Sequence, residues 1–381
     1  MKKWWNWILV LALVSLLFVA IPLTYSNTKT KEKLRPIFDS YIEKFNKSYK
    51  NNLTEYEKRL EHFCVSVEEI DALNSASKGP EHLRAKYGLT KLSDLSKDEF
   101  QEIHLSDEKP HHNRNHRRNW SKDQSDKSGM DDKDQYTITD HHYSDEKHKT
   151  YDKNILIRKQ RAAIPLRVDW REKGVIGPVR DQGLCGACWA FSTVGTMEAM
   201  AAIDTGKLTT LSVQEVIDCA GLGNSGCLGG DICLLLDWLT ITDTAIQPDN
   251  EYPLKLTDGV CQKKANATGV RVKSFTCDDL IGSEEKILQL IATHGPVSVA
   301  VNALTWQNYL GGVIQFHCSG SPKDLNHAVE LVGYDISADV PYYIAKNSWG
   351  KMFGTDGYIL LAIGNNICGL ANEVASIDIK P

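Results

Sequence analysis

The sequence predicts an α+β fold of two lobes, preceded by a helical segment and a polar linker. In residues 164–381 the helical patterns come first and the strand patterns later, whereas an alternating α/β protein would mix them. Nine of the ten cysteines lie in the same half, a density typical of an exported, disulfide-bonded domain. A chain of 381 residues is long enough for more than one compact unit.

The first residues are typical of an export signal. Two lysines precede an apolar stretch that runs from Trp4 to about Leu23. We expect a signal peptide over residues 1–25, although this length also allows an uncleaved membrane anchor. Four glycosylation sequons fit the secretory route. They lie at Asn46, Asn52, Asn119 and Asn266.

Residues 34–105 carry helical periodicity. Apolar side chains recur three and four residues apart over 38–49 and again over 56–70, which predicts two amphipathic helices. Ser96 and Glu99 have the spacing of a capping box and predict the start of another helix.

Residues 106–163 differ from both flanks, because they are rich in Asp, Lys, Ser, Asn and His and poor in aliphatic residues until the last few positions. Such a composition cannot bury a core, so we predict a disordered, charged linker that is exposed to proteolytic cutting. Seven of the twelve histidines lie between His104 and His148. Their spacing repeats no ligand geometry, so we predict a solvated His-rich linker and no metal site.

The charge of the chain separates the two halves. The overall balance is −5, and no basic stripe with interleaved aromatic residues points to nucleic acid as a partner. Residues 1–163 hold 29 Lys and Arg against 25 Asp and Glu, whereas residues 164–381 hold 15 against 24. We expect this complementarity to help the front half cover the back half.

The compact half has helices first and strands later. The periodicity of apolar residues and the boundaries set by Gly, Pro and Asp locate these elements. The predicted helices cover 190–202, 211–219 and 234–239, and the predicted strands cover 297–301, 328–334, 342–346 and 357–362.

Three residues from distant parts of the back half have the chemistry of a nucleophilic centre. Cys188 opens the first predicted helix, where the positive end of the helix dipole favours a thiolate and so lowers the thiol pKa. His327, just before a predicted strand, is the candidate acid and base. Asn347 is available to orient the imidazole ring.

The segments around these residues resemble the papain family of cysteine proteases. The motifs are Cys185-Gly-Ala-Cys188-Trp189, Asn326-His327-Ala328-Val329 and Asn347-Ser348-Trp349. Residues Glu55, Arg59, Phe63, Ile70 and Asn74 match the inhibitory propeptide helix of the family, and Gly88, Thr90, Leu92 and Asp94 form a looser version of a second propeptide motif. Ser66 replaces the usual Asn of the first motif.

The resemblance implies a papain-like two-lobe fold with a helical left lobe, a β-barrel-like right lobe and an N-terminal helical inhibitory propeptide. Residues 26–105 correspond to the propeptide and residues 164–381 to the mature peptidase domain. The function implied is a cysteine endopeptidase made as a zymogen, which is lysosomal or extracellular and acts as a monomer without a cofactor. Its implied partners are protein and peptide substrates, its own propeptide and cystatin-type inhibitors.

The resemblance also implies roles for single residues. The nucleophile is Cys188 and the acid/base is His327, with Asn347 as its orienter; Gln182 and the backbone N–H of Cys188 form the oxyanion hole. The implied substrate-binding residues are Gly229 and Gly230, which pair with an extended substrate, Asp231, Ile232, Ala300 and Leu325 in the walls of the main pocket, Glu373 at its base, and Trp349, which shields the His–Asn contact from water.

The disulfides implied by the resemblance are Cys185–Cys227, Cys219–Cys261 and Cys318–Cys368. Cys233 and Cys277 have no counterpart in the common pattern of the family. Either they pair with each other or they are buried thiols. Since nine cysteines lie in the back half, at least one thiol there has no internal partner.

Glu373 offers a carboxylate that would accept Arg as well as apolar side chains at the second residue before the cut. A solvent-facing Glu373 is the alternative.

Two other classes of protein are possible in principle. Cys185 and Cys188 have the spacing of a thioredoxin-type redox pair, but that motif would not require the His and Asn-Ser-Trp segments. A protease-shaped protein without activity is the second alternative, but all four active-centre positions carry competent residues. A zinc site is disfavoured because the cysteines do not form two close pairs.

Overall fold

A computed structural model describes residues 31–77, 79–105, 164–264 and 267–380. The predicted signal peptide, the linker and the sequons Asn119 and Asn266 lie outside these residues. No helix within the described ranges is both long enough and apolar enough to cross a bilayer.

Within residues 31–77 and 79–105 the front segment has three helices. The described part of α1 covers residues 31–44, α2 is Leu53–Ala76 and α3 is Lys97–His104. α1 and α2 bury their apolar faces against each other around Phe38 and Phe63. The first helix ends before the apolar pattern over 38–49 does. Asn46 adopts a left-handed φ of 48°, and a 3-10 turn, Ser48–Asn51, follows it.

The predicted capping box is present at the start of α3. The Ser96 hydroxyl accepts a hydrogen bond from the Glu99 backbone N–H at 3.0 Å, and the Glu99 carboxylate accepts one from the Ser96 N–H at 3.1 Å. These bonds satisfy two of the unpaired donors at the helix start. They fix the direction in which α3 runs towards the back half.

The helical lobe consists of α4 (Cys188–Thr205), α5 (Val213–Cys219) and α6 (Ile232–Thr242). Every residue of α4 from Cys188 to Ala202 is buried, which explains its nearly continuous apolar sequence. Ser212 and Asp231 cap α5 and α6 with their side chains. The α4 helix is thus the central element of this lobe.

The sheet lobe has one large sheet and a helix, α7 (Glu284–Thr293). The strands are β1 (Lys86–Tyr87), β2 (Arg167–Asp169), β3 (Arg271–Asp278), β4 (Val297–Val301), β5 (Tyr309–Gly311), β6 (Val313–Ile314), β7 (His327–Asp335), β8 (Tyr342–Lys346), β9 (Tyr358–Ala362) and β10 (Val374–Lys380). Strand β1 belongs to the front segment and forms a separate two-stranded sheet with β5. The large sheet has the order β3-β10-β4-β7-β8-β9-β6, with β2 added to β7. Its end strands do not pair among the described residues, so the barrel-like lobe is not a closed barrel.

The α+β prediction is confirmed, and β7 connects its two parts. The side chains of β7 alternate, so that Val329 and Leu331 enter the core of the sheet lobe while Ala328 faces the core built around α4. Both faces of β7 are therefore buried. Its first residue, His327, lies at the junction of the lobes.

All ten cysteines lie in the described part of the chain. The structure contains Cys185–Cys227, Cys219–Cys261 and Cys318–Cys368, and it also joins Cys233 to Cys277 across a Cα separation of 6.1 Å. The two cysteines left free are Cys64 and Cys188, and both are buried.

Candidate active site

Cys188 is the first residue of α4 and lies beneath the front segment. Its side chain is almost fully buried, and the backbone N–H of Ala328 is within hydrogen-bonding range of the thiol. Burial raises the pKa of Cys188 to about 11, although N–H groups at the helix start act in the opposite direction. The lowered pKa expected from the helix dipole is therefore wrong for this covered state, because desolvation outweighs the dipole.

His327 and Asn347 are in direct contact. The ring Nε2 of His327 lies 2.8 Å from Oδ1 of Asn347, which also accepts a hydrogen bond from the backbone N–H of Ser348 at 2.9 Å. The other ring nitrogen, Nδ1, is buried and has no hydrogen-bond partner among the described residues. The orientation set by Asn347 thus leaves Nδ1 available for proton transfer.

The His327 ring is shielded from water by two indole rings. The Trp349 ring is 4.7 Å from it at an interplanar angle of 32°, and the Trp306 ring meets it edge-on at 6.0 Å. Burial lowers the pKa of His327 to about 4, and the bond to Asn347 opposes this shift. In this covered state burial therefore disfavours both the thiolate and the imidazolium.

Gln182 is completely buried, and its amide is held in one orientation. Its Oε1 accepts a hydrogen bond from the Ser348 hydroxyl at 2.5 Å. Its Nε2 donates to the carbonyl of Cys185 at 2.9 Å and to the carbonyl of His104 at 3.3 Å. The donor expected in the oxyanion hole therefore contacts a carbonyl of the front segment.

The end of α3 covers this site. The rings of Phe100 and His104 meet Trp349 at 5.4 Å and 6.0 Å, and Leu105 is buried in the same core. Burial is the main cause that lowers the pKa of His104 to about 3, followed by the nearby Lys91. Sequence reasoning missed these contacts, because His104 was counted with the histidines of the linker.

The stretch that precedes α3 docks on the sheet lobe. Strand β1 pairs antiparallel with β5. Thr90 and Ser93 donate hydrogen bonds to the carbonyl of Gln307 and the side chain of Asn308, both at 2.7 Å. An ion pair joins Lys91 to Asp181. Contacts between the two halves in this region are therefore one ion pair, from Lys91 to Asp181, and several hydrogen bonds between neutral groups.

Gly229 and Gly230 are consecutive glycines that follow Cys227 closely in the chain. Gly229 has a φ of 132°, which favours glycine, and a Cβ on Gly230 would lie 2.5 Å from a ring carbon of Trp189. Larger residues therefore do not fit this stretch without a shift of the structure.

The residues expected around the main pocket come partly together. The backbone N–H of Ala300 donates to the carbonyl of Glu373 at 3.1 Å. The Glu373 carboxylate lies within 4.8 Å of both sulfurs of the Cys233–Cys277 disulfide. Ile232 is buried. Leu325 is half-buried and contacts the Gly369 region.

Asp231 has a structural task in addition to its expected place in the pocket wall. Its carboxylate accepts hydrogen bonds from the N–H groups of Cys233 and Leu234 at 2.8 and 2.7 Å and so caps α6.

The redox alternative conflicts with the disulfide pattern. Cys185 is bonded to Cys227, which leaves Cys188 without a sulfur partner. A dithiol–disulfide couple between Cys185 and Cys188 would require that bond to be absent.

A family model described as "Papain family cysteine protease" matches residues 164–377. The chain belongs to this family. A second model, "Cathepsin propeptide inhibitor domain (I29)", matches residues 38–100. This papain-family chain is a cysteine peptidase that is synthesised with an inhibitory propeptide, so the predicted zymogen is confirmed.

Known relatives agree with the family. The chain is 44% identical to cathepsin O of Mus musculus over 216 residues, which cover 56% of this chain and 68% of that protein. It is 31% identical to cysteine proteinase 2 of Zea mays, over 90% of this chain and 83% of that protein. Segments 165–170, 306–318 and 368–371 predict a particular similarity to cathepsin O, which the first comparison confirms.

Solved precursor structures share the arrangement. A recombinant stem bromelain precursor has a TM-score of 0.69 at 25% identity and covers 92% of this chain and all of that chain. The digestive procathepsin L 3 of Tenebrio molitor has a TM-score of 0.66 at 25% identity, over 90% and 98%. The papain-like fold with a propeptide is thereby confirmed.

Proposed function

We propose that this papain-family peptidase is an endopeptidase in which Cys188 is the nucleophile, His327 the acid/base and Asn347 the residue that orients the ring. The observation that carries this proposal is the contact of His327 Nε2 with Asn347, which leaves Nδ1 of the ring without a partner among the described residues. The next residue of the strand, Ala328, has its backbone N–H near the Cys188 thiol. One ring nitrogen is then fixed and the other faces the chemistry.

The reaction proceeds through a thioester. The Cys188 thiolate attacks the peptide carbonyl carbon, and the negative charge on its oxygen is met by Gln182 Nε2 and the backbone N–H of Cys188. The imidazolium of His327 gives its proton to the leaving amine, and the C–N bond breaks. Water then loses a proton to His327 and attacks the thioester, which releases the acid and the thiol.

The propeptide keeps this centre inactive in two ways. Its His104 carbonyl occupies Gln182 Nε2, and its cover favours the uncharged forms of the thiol and the imidazole. Removal of residues up to about 163 restores solvent to the site. The Cys188 pKa is then free to fall, since the helix-start N–H groups favour the thiolate.

We propose that Glu373, Ala300 and Ile232 line the pocket that selects the substrate. A carboxylate at the base of an otherwise apolar pocket accepts Arg through paired hydrogen bonds and still admits Leu. The ratio of kcat/KM for matched Arg and Leu substrates should drop in Glu373→Ala. An unchanged ratio would show that Glu373 faces solvent.

The chain passes through the secretory route to the lysosome or the extracellular space, which the apolar start of the sequence and the four disulfides support. It acts as a monomer without a cofactor, and cystatin-type inhibitors compete for the same cleft as the propeptide. Size-exclusion chromatography and inhibition by a cystatin test these two points.

A labelling experiment tests the catalytic assignment. The precursor and the acid-matured enzyme are each treated with an epoxide that alkylates active-site thiolates, and the modified residue is mapped by mass spectrometry. Label on Cys188 of the mature form, and little on the covered precursor, is the expected result. Label at another residue, or none after maturation, would overturn the assignment.

A further inference from the structure

A buried ion pair lies behind the proposed catalytic centre. Glu330 on β7 and Lys346 on β8 are opposite each other in the sheet, and Lys346 Nζ is 3.2 Å from Glu330 Oε2. Their side chains are only 2% and 10% exposed. Glu330 follows His327 by three residues and Lys346 immediately precedes Asn347, so the pair links the two strands that hold the His–Asn contact.

The same pair packs against the helix that begins with Cys188. A Cβ added to Gly195 of α4 would lie 2.6 Å from Glu330 Oε2 and 3.5 Å from Lys346 Nζ. The two charged groups are therefore in close contact with the α4 backbone. One ion pair thus touches each of the three elements that carry a proposed catalytic group.

Other polar groups surround this pair. Arg180, on the loop before the site, donates to the fully buried Glu198 of α4 at 2.9 Å. Burial raises the pKa of Glu198; the charge of Lys346 opposes this rise, and that of Glu330 adds to it. Glu330 also adds to the rise that burial causes in the pKa of Tyr358 on β9. On the far side, burial and, to a smaller extent, the positive form of His327 lower the pKa of His104 in the propeptide.

A small cavity with a mixed polar and apolar lining joins the pair to the site. Its lining includes Ser192, Glu330, Lys346 and Asn347. Three buried atoms in this lining have no hydrogen-bond partner among the described residues, namely Ser192 Oγ, Glu330 Oε1 and Asn347 Nδ2. The orienting amide of Asn347 therefore borders the same cavity as the Glu330 carboxylate.

Stability alone does not account for such a pair. Removing two charges from water costs free energy that their attraction often fails to recover, and apolar residues of similar size are frequently as stable. A charge pair in this place has a different consequence. It joins the strand that begins with His327 to the strand that ends next to Asn347, and it lies against α4.

We propose that Glu330 and Lys346 are positioning residues of the active site, which hold the His327 and Asn347 strands against α4 and balance the charge behind the imidazolium. This inference rests on the proposed catalytic roles. Neither residue touches the substrate, and the proposal concerns the geometry and charge state of His327 through its neighbours.

The two charges have opposite effects on His327, which provides the test. Glu330→Gln leaves Lys346 less compensated and destabilises the imidazolium, so the alkaline limb of the pH profile of kcat/KM should move to lower pH. Lys346→Met leaves the Glu330 carboxylate and should move that limb to higher pH. The double variant Glu330→Gln/Lys346→Met should return it near the wild-type position.

The experiment uses full-length precursors matured in acid and assayed with one fluorogenic peptide from mildly acidic to alkaline pH. We expect opposite shifts of about half a pH unit or more in the single variants. Shifts in the same direction, or unmoved limbs with only a lower Tm, would overturn the proposal.

A charge-conserving variant covers the case in which a single variant does not fold. Glu330→Asp/Lys346→Arg keeps both charges but changes their reach, so kcat should fall while the alkaline limb stays in place. A displaced limb with an unchanged kcat would contradict the proposal. Epoxide labelling of wild-type Cys188 separates this inference from the proposed function. If the wild-type enzyme is active and labelled on Cys188 but the variants show no opposite shifts, only this inference is rejected.

Discussion

The backbone carbonyl of His104 accepts a hydrogen bond from Nε2 of Gln182 at 3.3 Å. The last residue of α3 therefore contacts the amide that is proposed to receive the oxyanion of a substrate. A carbonyl at a helix C-terminus carries partial negative charge, so it suits a site built for a developing oxyanion. The propeptide thus covers the cleft and also occupies Gln182 Nε2, the donor proposed for the oxyanion.

His104→Leu should make the precursor more resistant to acid. The pKa of His104 is lowered to about 3 in the closed state, so opening the propeptide takes up a proton once the pH falls below the ordinary histidine range. At pH 5 this linkage destabilises the closed state by about 2 kcal/mol, and the effect falls to about 0.4 kcal/mol at pH 6.5 and to nearly zero at pH 7.5.

The measurement is the pH at which half of the precursor is processed, which should move to lower pH in His104→Leu. His82→Leu is the control, because the His82 side chain is 70% exposed and its ring nitrogen lies 3.7 Å from the equally exposed Asp339. An equal shift in both variants, or none in His104→Leu, would contradict this role of His104.

Gln182→Ala should lower kcat about 100- to 1,000-fold with a small change in KM, because the oxyanion donor acts mainly in the transition state. Ser348→Ala, which removes the hydroxyl that orients Gln182, should give a smaller loss. Steady-state kinetics of the mature enzymes provide the comparison. An unchanged kcat in Gln182→Ala would remove this residue from the oxyanion hole.

Phe100→Ala should release the propeptide at neutral pH. The Phe100 ring is fully buried against Trp349, and truncation of such a side chain costs about 3–5 kcal/mol. The rate of self-processing of the precursor at pH 7 should therefore rise by at least about 100-fold. Ile37→Ala truncates a propeptide side chain that is 48% exposed, and it should leave the rate unchanged.

The Cys233–Cys277 disulfide should contribute strongly to stability, because it ties α6 to an end strand of the large sheet. Its partners are 44 residues apart, and loop-closure entropy gives about 4 kcal/mol for a loop of this size. Cys233→Ala/Cys277→Ala should lower the Tm of the precursor clearly, as measured by calorimetry. Cys64→Ala, which removes a buried free thiol, is the control and should lower it less.

The sequence predicted the elements whose apolar residues are local and regular. Strands β4 and β8 begin and end where predicted, and Cys188 opens α4 as expected. Strands β3 and β10 and helix α7 were missed. β3 alternates apolar residues with Lys, Ser and Asp at the end of the sheet, and its strand character depends on pairing with β10, almost 100 residues later.

For the candidate site, too, the sequence predicted some features and the structure alone showed others. The motifs around Cys188, His327 and Asn347 identified the side chains of the centre, because nucleophile, base and orienter each require particular functional groups. The motifs did not reveal that His104 contacts Gln182, or that Glu330 and Lys346 form an ion pair behind the site. Such contacts join residues far apart in the chain.

The sequence by itself determined the family, the order of lobes, the presence of an unpaired thiol and the type of chemistry, because these depend on residue identity and spacing. Only the tertiary structure decided the pairing of Cys233 with Cys277 and the pKa directions of Cys188 and His327. Burial depends on every neighbour in space at once. For Cys188 it reverses the effect expected from the helix dipole, which the sequence alone does not show.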